Sequence, residues 1–218
     1  MSQTLIGIVG YYPFVRGYPL GPELREKLEN SEWQTNVIIK ELNWGPVAIV
    51  QEFQAEGLTF DRAVLIAPVR RGRRLGFVHS RRWVGGDLPV MEIQNRMFEA
   101  VTGIVSIDNL LVIGDHFGIW PKNVIVVEVE LADDCIGDMI LQEYEKGLPP
   151  EQAVGEGPIT SEQEQLVNEI FLSAVVALNA KASDLTGFPE MSVGDLNPLA
   201  EVCHNHLLHD IPQQDPLN

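Results

Sequence analysis

Short unbroken apolar runs alternate along this chain with segments whose apolar residues recur every three or four positions. The first kind reads as strands covered on both faces, the second as helices with one buried stripe. Leu5 to Tyr12, Asn36 to Leu42, Ala63 to Ala67 and Asn123 to Leu131 are the runs. The last is unbroken Val and Ile over 124–127, which predicts a central strand. Between the runs, Pro22 opens a helix through Leu24 and Leu28, with proline at the first position. Pro46 opens a second, with Val47, Val50 and Phe53 inward. Val90, Ile93, Met97 and Val101 mark a third over 89–101, and Ser106 caps a fourth carrying Leu110, Leu111 and Ile113. Cys135 to Tyr144 reads as a short helix. Ser161-Glu-Gln-Glu164 has the capping-box form and opens the strongest helix, with a stripe from Leu166 to Leu178.

Strands alternating with helices predict a three-layer α/β/α sandwich around a mostly parallel central sheet. One domain over 1–183 accounts for the regular pattern. From Asp184 onward Gly, Pro and Asn recur every few residues, which predicts an extended or poorly ordered tail over 184–218.

Composition narrows the function classes. The chain has 218 residues, with 31 acidic against 15 basic, a net charge of −16. That balance argues against general nucleic-acid binding and against an anionic membrane surface. No apolar run approaches the roughly 20 residues of a membrane span. The N-terminus enters a strand without a basic region, and two cysteines, Cys135 and Cys203, give no disulfide framework. Both fit a reducing cytoplasm.

One stretch departs from the acidic balance. Arg70, Arg71, Arg73, Arg74, Arg81 and Arg82 are six of the ten arginines, placed within thirteen residues just after the third strand. Read as a hairpin between the third strand and a return run at Phe77-Val78-His79, they are either a solvated tip or a clamp for an anion. Open α/β sheets bind ligands at such strand ends, and the guanidinium fork suits a carboxylate or phosphate. A clamp of Arg70, Arg71, Arg73 and Arg74, joined by Arg81 and with Trp83 stacked on a guanidinium, predicts a protein partner with an acidic or carboxylate segment. Pro68 is expected to end the pairing of the third strand.

The glycine punctuation (Gly10, Gly21, Gly45, Gly72, Gly76, Gly118) and the element order from about Leu5 to Lys181 resemble the [NiFe]-hydrogenase maturation endopeptidases. The resemblance implies the same α/β fold, a nickel-responsive site of two carboxylates and one histidine, and trimming of the C-terminal extension of a hydrogenase large subunit. The three ligand positions fall here on Arg16-Gly17, on Pro68 and near Ile104. None offers a donor to a divalent ion. Glu41, Asp108, Asp115 and His116 are alternative ligands, although adjacent residues 115 and 116 diverge by about 100° on a helix. In the tail, Cys203, His206 and His209 are a second candidate metal set, without the spacing of known zinc modules. No nucleotide-binding glycine motif, P-loop or serine-triad motif occurs.

The expectation is therefore a hydrogenase-maturation-protease-like protein, catalytically altered or inactive, acting as a binding or assembly factor through its arginine-rich loop. The alternative is an active nickel-dependent endopeptidase with relocated ligands. No cofactor is expected unless that activity is retained, in which case it is nickel.

Overall fold

A computed structural model of the chain describes residues 3–101, 105–145, 159–181 and 183–199. The strands are β1 (Gln3–Ile8), β2 (Asn36–Glu41), β3 (Arg62–Val69), β4 (Val78–Gly85), β5 (Val124–Glu130) and β6 (Glu190–Ser192). The helices are α1 (Pro22–Glu29), α2 (Pro46–Ala55), α3 (Val90–Val101), α4 (Ile107–His116), α5 (Cys135–Glu145) and α6 (Ser161–Asn179). They form the α/β sandwich that the pattern predicts, around one six-stranded sheet of order β2-β1-β3-β5-β4-β6. Strands β2, β1, β3 and β5 are mutually parallel; β4 runs antiparallel to β5, and β6 is parallel to β4.

Period-two alternation divides each central strand between two cores. Ile6, Ile8, Val64, Ile66, Ile125, Val127 and Val129 face α1 and α6, meeting Leu24, Leu28, Val167, Ile170 and Ala174. Leu5, Ala63, Leu65, Ala67, Val124 and Val126 face the opposite way, toward Ile49 and Phe53 of α2 and Leu110 and Leu111 of α4. Helix α3 packs against α4 and α2. Every residue of β5 is buried, as its central position requires.

Three expectations are corrected. First, β3 and β4 are not a hairpin. Strand β5 lies between them, and the arginine-rich segment crosses over the carboxyl end of β5. Two strands flanking a third are about 10 Å apart, so a two-residue turn cannot join them. Second, pairing of β3 continues through Pro68 to Val69, opposite Val129 and Glu130 of β5. Ile66 and Pro68 face the β1 side, where pairing ends with the Val9 amide on the Ile66 carbonyl. The missing donor of Pro68 thus falls where no acceptor strand remains. Gly10, with φ of 71°, packs over the Pro68 ring at that point. Third, the capping box of α6 sits one residue earlier than expected. Thr160 accepts from the Gln163 amide, and Gln163 bonds back to the Thr160 amide.

The segment after Asp184 also departs from an extended tail, as far as Leu199. It contributes β6, and Met191 is fully buried in the core that holds Trp83. Asp195 accepts from Arg81 at 2.6 Å and from the Ser192 amide at 2.9 Å, closing the last turn onto β4. The backbone amide of Asn197 donates to Asp108. Residues 200–218 lie outside the described residues.

Met191→Ala is expected to cost about 2–5 kcal/mol in urea unfolding, the range for truncating a fully buried large side chain. A loss under about 0.5 kcal/mol would show that β6 adds nothing to the core. The Asp195 carboxyl is held down to about 2, first by the Ser192 amide and then by the Arg81 guanidinium. A lowered folded pKa stabilises above the ordinary value of 3.8, and this contribution disappears as pH falls toward 2. Asp195→Asn should therefore cost a few tenths to about 1 kcal/mol at pH 7, the small value reflecting a solvent-screened pair. The gap from wild type should close as denaturation midpoints are followed below pH 4.

Candidate functional site

The carboxyl ends of β3 and β5 are the end of the sheet where ligands enter open α/β folds. Here that end is built from charge. Glu128 and Glu130 are two residues apart on β5, so both point to the α4 side, and both are buried. The crossing loop lays Arg71 and Arg73 onto them. Arg71 donates from Nε to Glu128 Oε1 at 3.2 Å, and its two terminal nitrogens grip both oxygens of Asp108 at 2.9 and 2.6 Å. Arg73 reaches Glu128 Oε2 at 2.7 Å and Glu130 Oε2 at 3.2 Å. Glu130 Oε1 accepts from the backbone amides of Arg71 and Gly72 at 2.7 and 2.9 Å. Gly72 has a φ of 72°, which aims two successive amides at one oxygen without strain on a side chain.

Burial alone would lower the pKa of Arg71, but Asp108 and Glu128 outweigh it and the guanidinium is pushed up. It stays charged. The carboxylates likewise have partners for each oxygen: Asp108 Oδ2 also takes the Asn197 amide at 2.8 Å. Buried charges with complete partners are stable, and removing one member leaves another uncompensated.

Beside this cluster lies a cavity of about 460 Å³. Its walls come from Pro68 to Arg71 at the end of β3 and just beyond, Ser106 to Asp108 at the start of α4, Leu131 to Ile136 leading into α5, Arg96 and Glu99 of α3, and Tyr18. The Tyr18 phenol is pushed up to about 12, mainly by burial, and it donates to the Gly10 carbonyl. Burial also raises the Cys135 thiol, reinforced by Asp138 and Asp134, so this wall presents no thiolate. Arg96 is buried, with its terminal nitrogens on Asn109 and Asn197 at 3.3 and 3.1 Å and its Nε without a partner.

The predicted residues are distributed unevenly over this site. Arg70 and Arg71 line the cavity, Arg71 as a structural member of the cluster and Arg70 as an exposed fork on Asp133. Arg73 belongs to the cluster and lies over the Phe77 ring. Arg74 is exposed, and among the described residues its side chain has no partner. Arg81 and Arg82 both pair with the β6 region, Arg81 with Asp195 and Arg82 with Glu190. Trp83 is buried and donates from its indole to Asp115 at 2.6 Å, so it stacks on no guanidinium. An open clamp of four forks is therefore not what the loop builds, because two of the four bind the chain's own glutamates.

The alternative metal ligands do not converge. Glu41 pairs with Arg25, Asp108 with Arg71, Asp115 with Trp83, and His116 packs edge-on against Phe117. Among the described residues no group of three His, Cys, Asp or Glu side chains has the geometry to hold a metal ion. Of the positions the resemblance assigns to nickel ligands, Arg16 pairs with Glu23 and Pro68 carries no donor atom. Ile104, like Cys203, His206 and His209, lies outside the described residues. A nickel ion does not fit the residues present at the sheet end. The sequence reading missed Glu128 and Glu130; two acids at i and i+2 inside a buried run were the available signal.

Compared by sequence, the chain matches neither a family profile nor a curated protein. By structure it is similar to an endopeptidase from Escherichia coli, at 15% identity and a TM-score of 0.45 over 87% of this chain and 96% of that one. It is also similar to a hydrogenase 3 maturation protease, at 14% identity and a TM-score of 0.45 over 87% and 96%. A hydrogenase 2 maturation peptidase from a Thaumarchaeota archaeon aligns at 11% identity and a TM-score of 0.43, over 83% and 100%. Among the described residues no helix is long and apolar enough to cross a membrane.

Glu128→Ala leaves Arg71 and Arg73 short of a buried counter-charge and should cost about 3–5 kcal/mol in chemical denaturation. Arg74→Ala, on the same loop, should change stability by less than about 0.5 kcal/mol. Equal effects from the two would show that the cluster does not organise the loop.

Proposed function

We propose that this chain binds a polypeptide partner at the carboxyl end of its sheet and does not carry out metal-assisted hydrolysis there. The observation behind this reading is the occupancy of Asp108, Glu128 and Glu130, whose oxygens all bond to the chain's own arginines and amides. A metal ligand or a general base needs a carboxylate lone pair free for the ion or the proton. Displacing Arg71 to free one would leave a buried charge unpaired. The cavity wall combines apolar side chains with both signs of charge, which suits a peptide carrying amide groups and mixed side chains. Arg70 and Arg74 remain exposed, and they are the groups that a partner's carboxylates would meet. The partner class is thus a protein with an acidic or carboxylate segment, contacted by Arg70 and Arg74 in place of Arg71 and Arg73.

Purified protein incubated with a hydrogenase large-subunit precursor should leave it full length, with or without Ni²⁺. Nickel-dependent trimming that Asp108→Asn abolishes would overturn the reading. In parallel, Arg70→Ala/Arg74→Ala should lose a partner that wild type captures from native extract, at unchanged stability. Equal capture by both would remove the two arginines from the site.

A further inference from the structure

The sheet has two edges, and they are not alike. The β6 edge is three residues long, and a strand that short is itself a protection against further pairing. The β2 edge is six residues long, with Val37-Ile38-Ile39 at its centre. The Leu42 amide donates to the Ile8 carbonyl, so by alternation Ile38 and Lys40 also turn their peptide groups toward β1. Val37, Ile39 and Glu41 turn theirs outward. Among the described residues nothing donates to or accepts from those outward peptide groups. Charged side chains commonly guard such an edge. Here both are drawn aside. Lys40 turns onto α2, between Glu52 and Glu56, and Glu41 turns onto α1, where it shares Arg25 with Glu29. Each face of the edge therefore holds two carboxylates for one cation. The four carboxylate side chains keep 35% to 53% of their surface in water, so this local excess of negative charge faces solvent.

We infer that β2 accepts an extended segment of a partner protein as an added strand, β-branched across Val37 to Ile39 and carrying two successive lysines or arginines across Lys40 and Glu41. In this mode of recognition main-chain bonds give affinity and alternate side chains give specificity. The open peptide groups of Val37, Ile39 and Glu41 supply the first. Local charge supplies the second, because directly opposed residues of neighbouring strands lie on the same face. A basic residue opposite Lys40 meets the Glu52 and Glu56 pair, and one opposite Glu41 meets Glu41 and Glu29. The added strand also covers Val37, Ile38 and Ile39, which the fold leaves only partly buried. A second copy of β2 would instead set carboxylate excess against carboxylate excess. The edge lies beyond β1 and β3 from the arginine-rich loop, so the inference is independent of what occupies the cavity.

The test uses the full chain and a fluorescein-labelled peptide, Lys-Arg-Val-Thr-Val-Thr-Val-Lys-Arg, read by anisotropy at physiological salt. Its basic pairs at both ends serve either strand direction. One control peptide has glutamate for every lysine and arginine. A second keeps the charge but is N-methylated at each valine and threonine, so neither of its edges can pair. Wild type should bind the first peptide at least tenfold more tightly than either control. Glu29→Lys/Glu56→Lys should weaken that binding fivefold or more. Ile39→Pro removes one outward N–H while leaving the bonds to β1, and should weaken it tenfold. If Ile39→Pro fails to fold by circular dichroism, the N-methylated peptide decides the backbone contact alone. Equal binding of the N-methylated peptide, or no loss in the charge variant, would overturn the inference. So would a wild type that binds no peptide, as when residues 146–158 or 200–218 of the chain already hold the edge. A wild-type dimer in light scattering that Ile39→Pro converts to monomer would overturn it too, since a second copy would then be the added strand.

Discussion

The ion cluster over the end of β5 is the constraint on which the rest of this architecture depends. An α/β sheet could end in a tight turn from β3 into its neighbour. Here the neighbour is β5, which enters from much later in the chain, and the loop from β3 must pass over it to reach β4. Glu128 and Glu130 give the loop something to be bound to. Arg71 answers Glu128 and Asp108 at once, so a single guanidinium ties β5, the crossing loop and the start of α4 together. The Asn197 amide on Asp108 extends the tie to the segment after β6.

That arrangement decides what chemistry the sheet end has left. Carboxylates beside a cavity are ordinarily the first candidates for metal binding or proton transfer. Here every oxygen of Asp108, Glu128 and Glu130 already accepts from an arginine or a backbone amide of the chain itself. Arg71 and Arg73 are equally committed, so the loop is less cationic toward solvent than its composition suggests. Arg70 and Arg74 are the loop's exposed guanidiniums, beside the mixed wall of the cavity.

The sequence carried the layers well and the site poorly, for physical reasons that particular residues make plain. Periodicity located β1, β3 and β5 and most helices to within a few residues, because buried runs and apolar stripes are local properties. It could not show that β5 inserts between β3 and β4, since strand order depends on pairings far apart in the chain. Without that order, the arginines looked open to solvent and the two glutamates passed as ordinary strand residues. Trp83 was read as a stacking platform, whereas burial required its indole N–H to find an acceptor, and Asp115 supplies one. The short β6 gave no signal, because three residues hold no period.

The late insertion of β5 also bears on how the chain is made. During synthesis β3 and the arginine-rich loop emerge more than fifty residues before Glu128, and β6 emerges some sixty residues after β5. The central strands β3 and β5 cannot pair until residue 130 has emerged, and β4 waits some sixty residues more for its outer neighbour β6. Through that interval the loop's positive charges lack the carboxylates that later neutralise them, and the flank of β3 destined for β5 is an unpaired edge. Such non-local pairing is slow and leaves nascent chains open to wrong association. The strongly acidic remainder of the molecule, through mutual repulsion between chains, is a built-in protection during that wait.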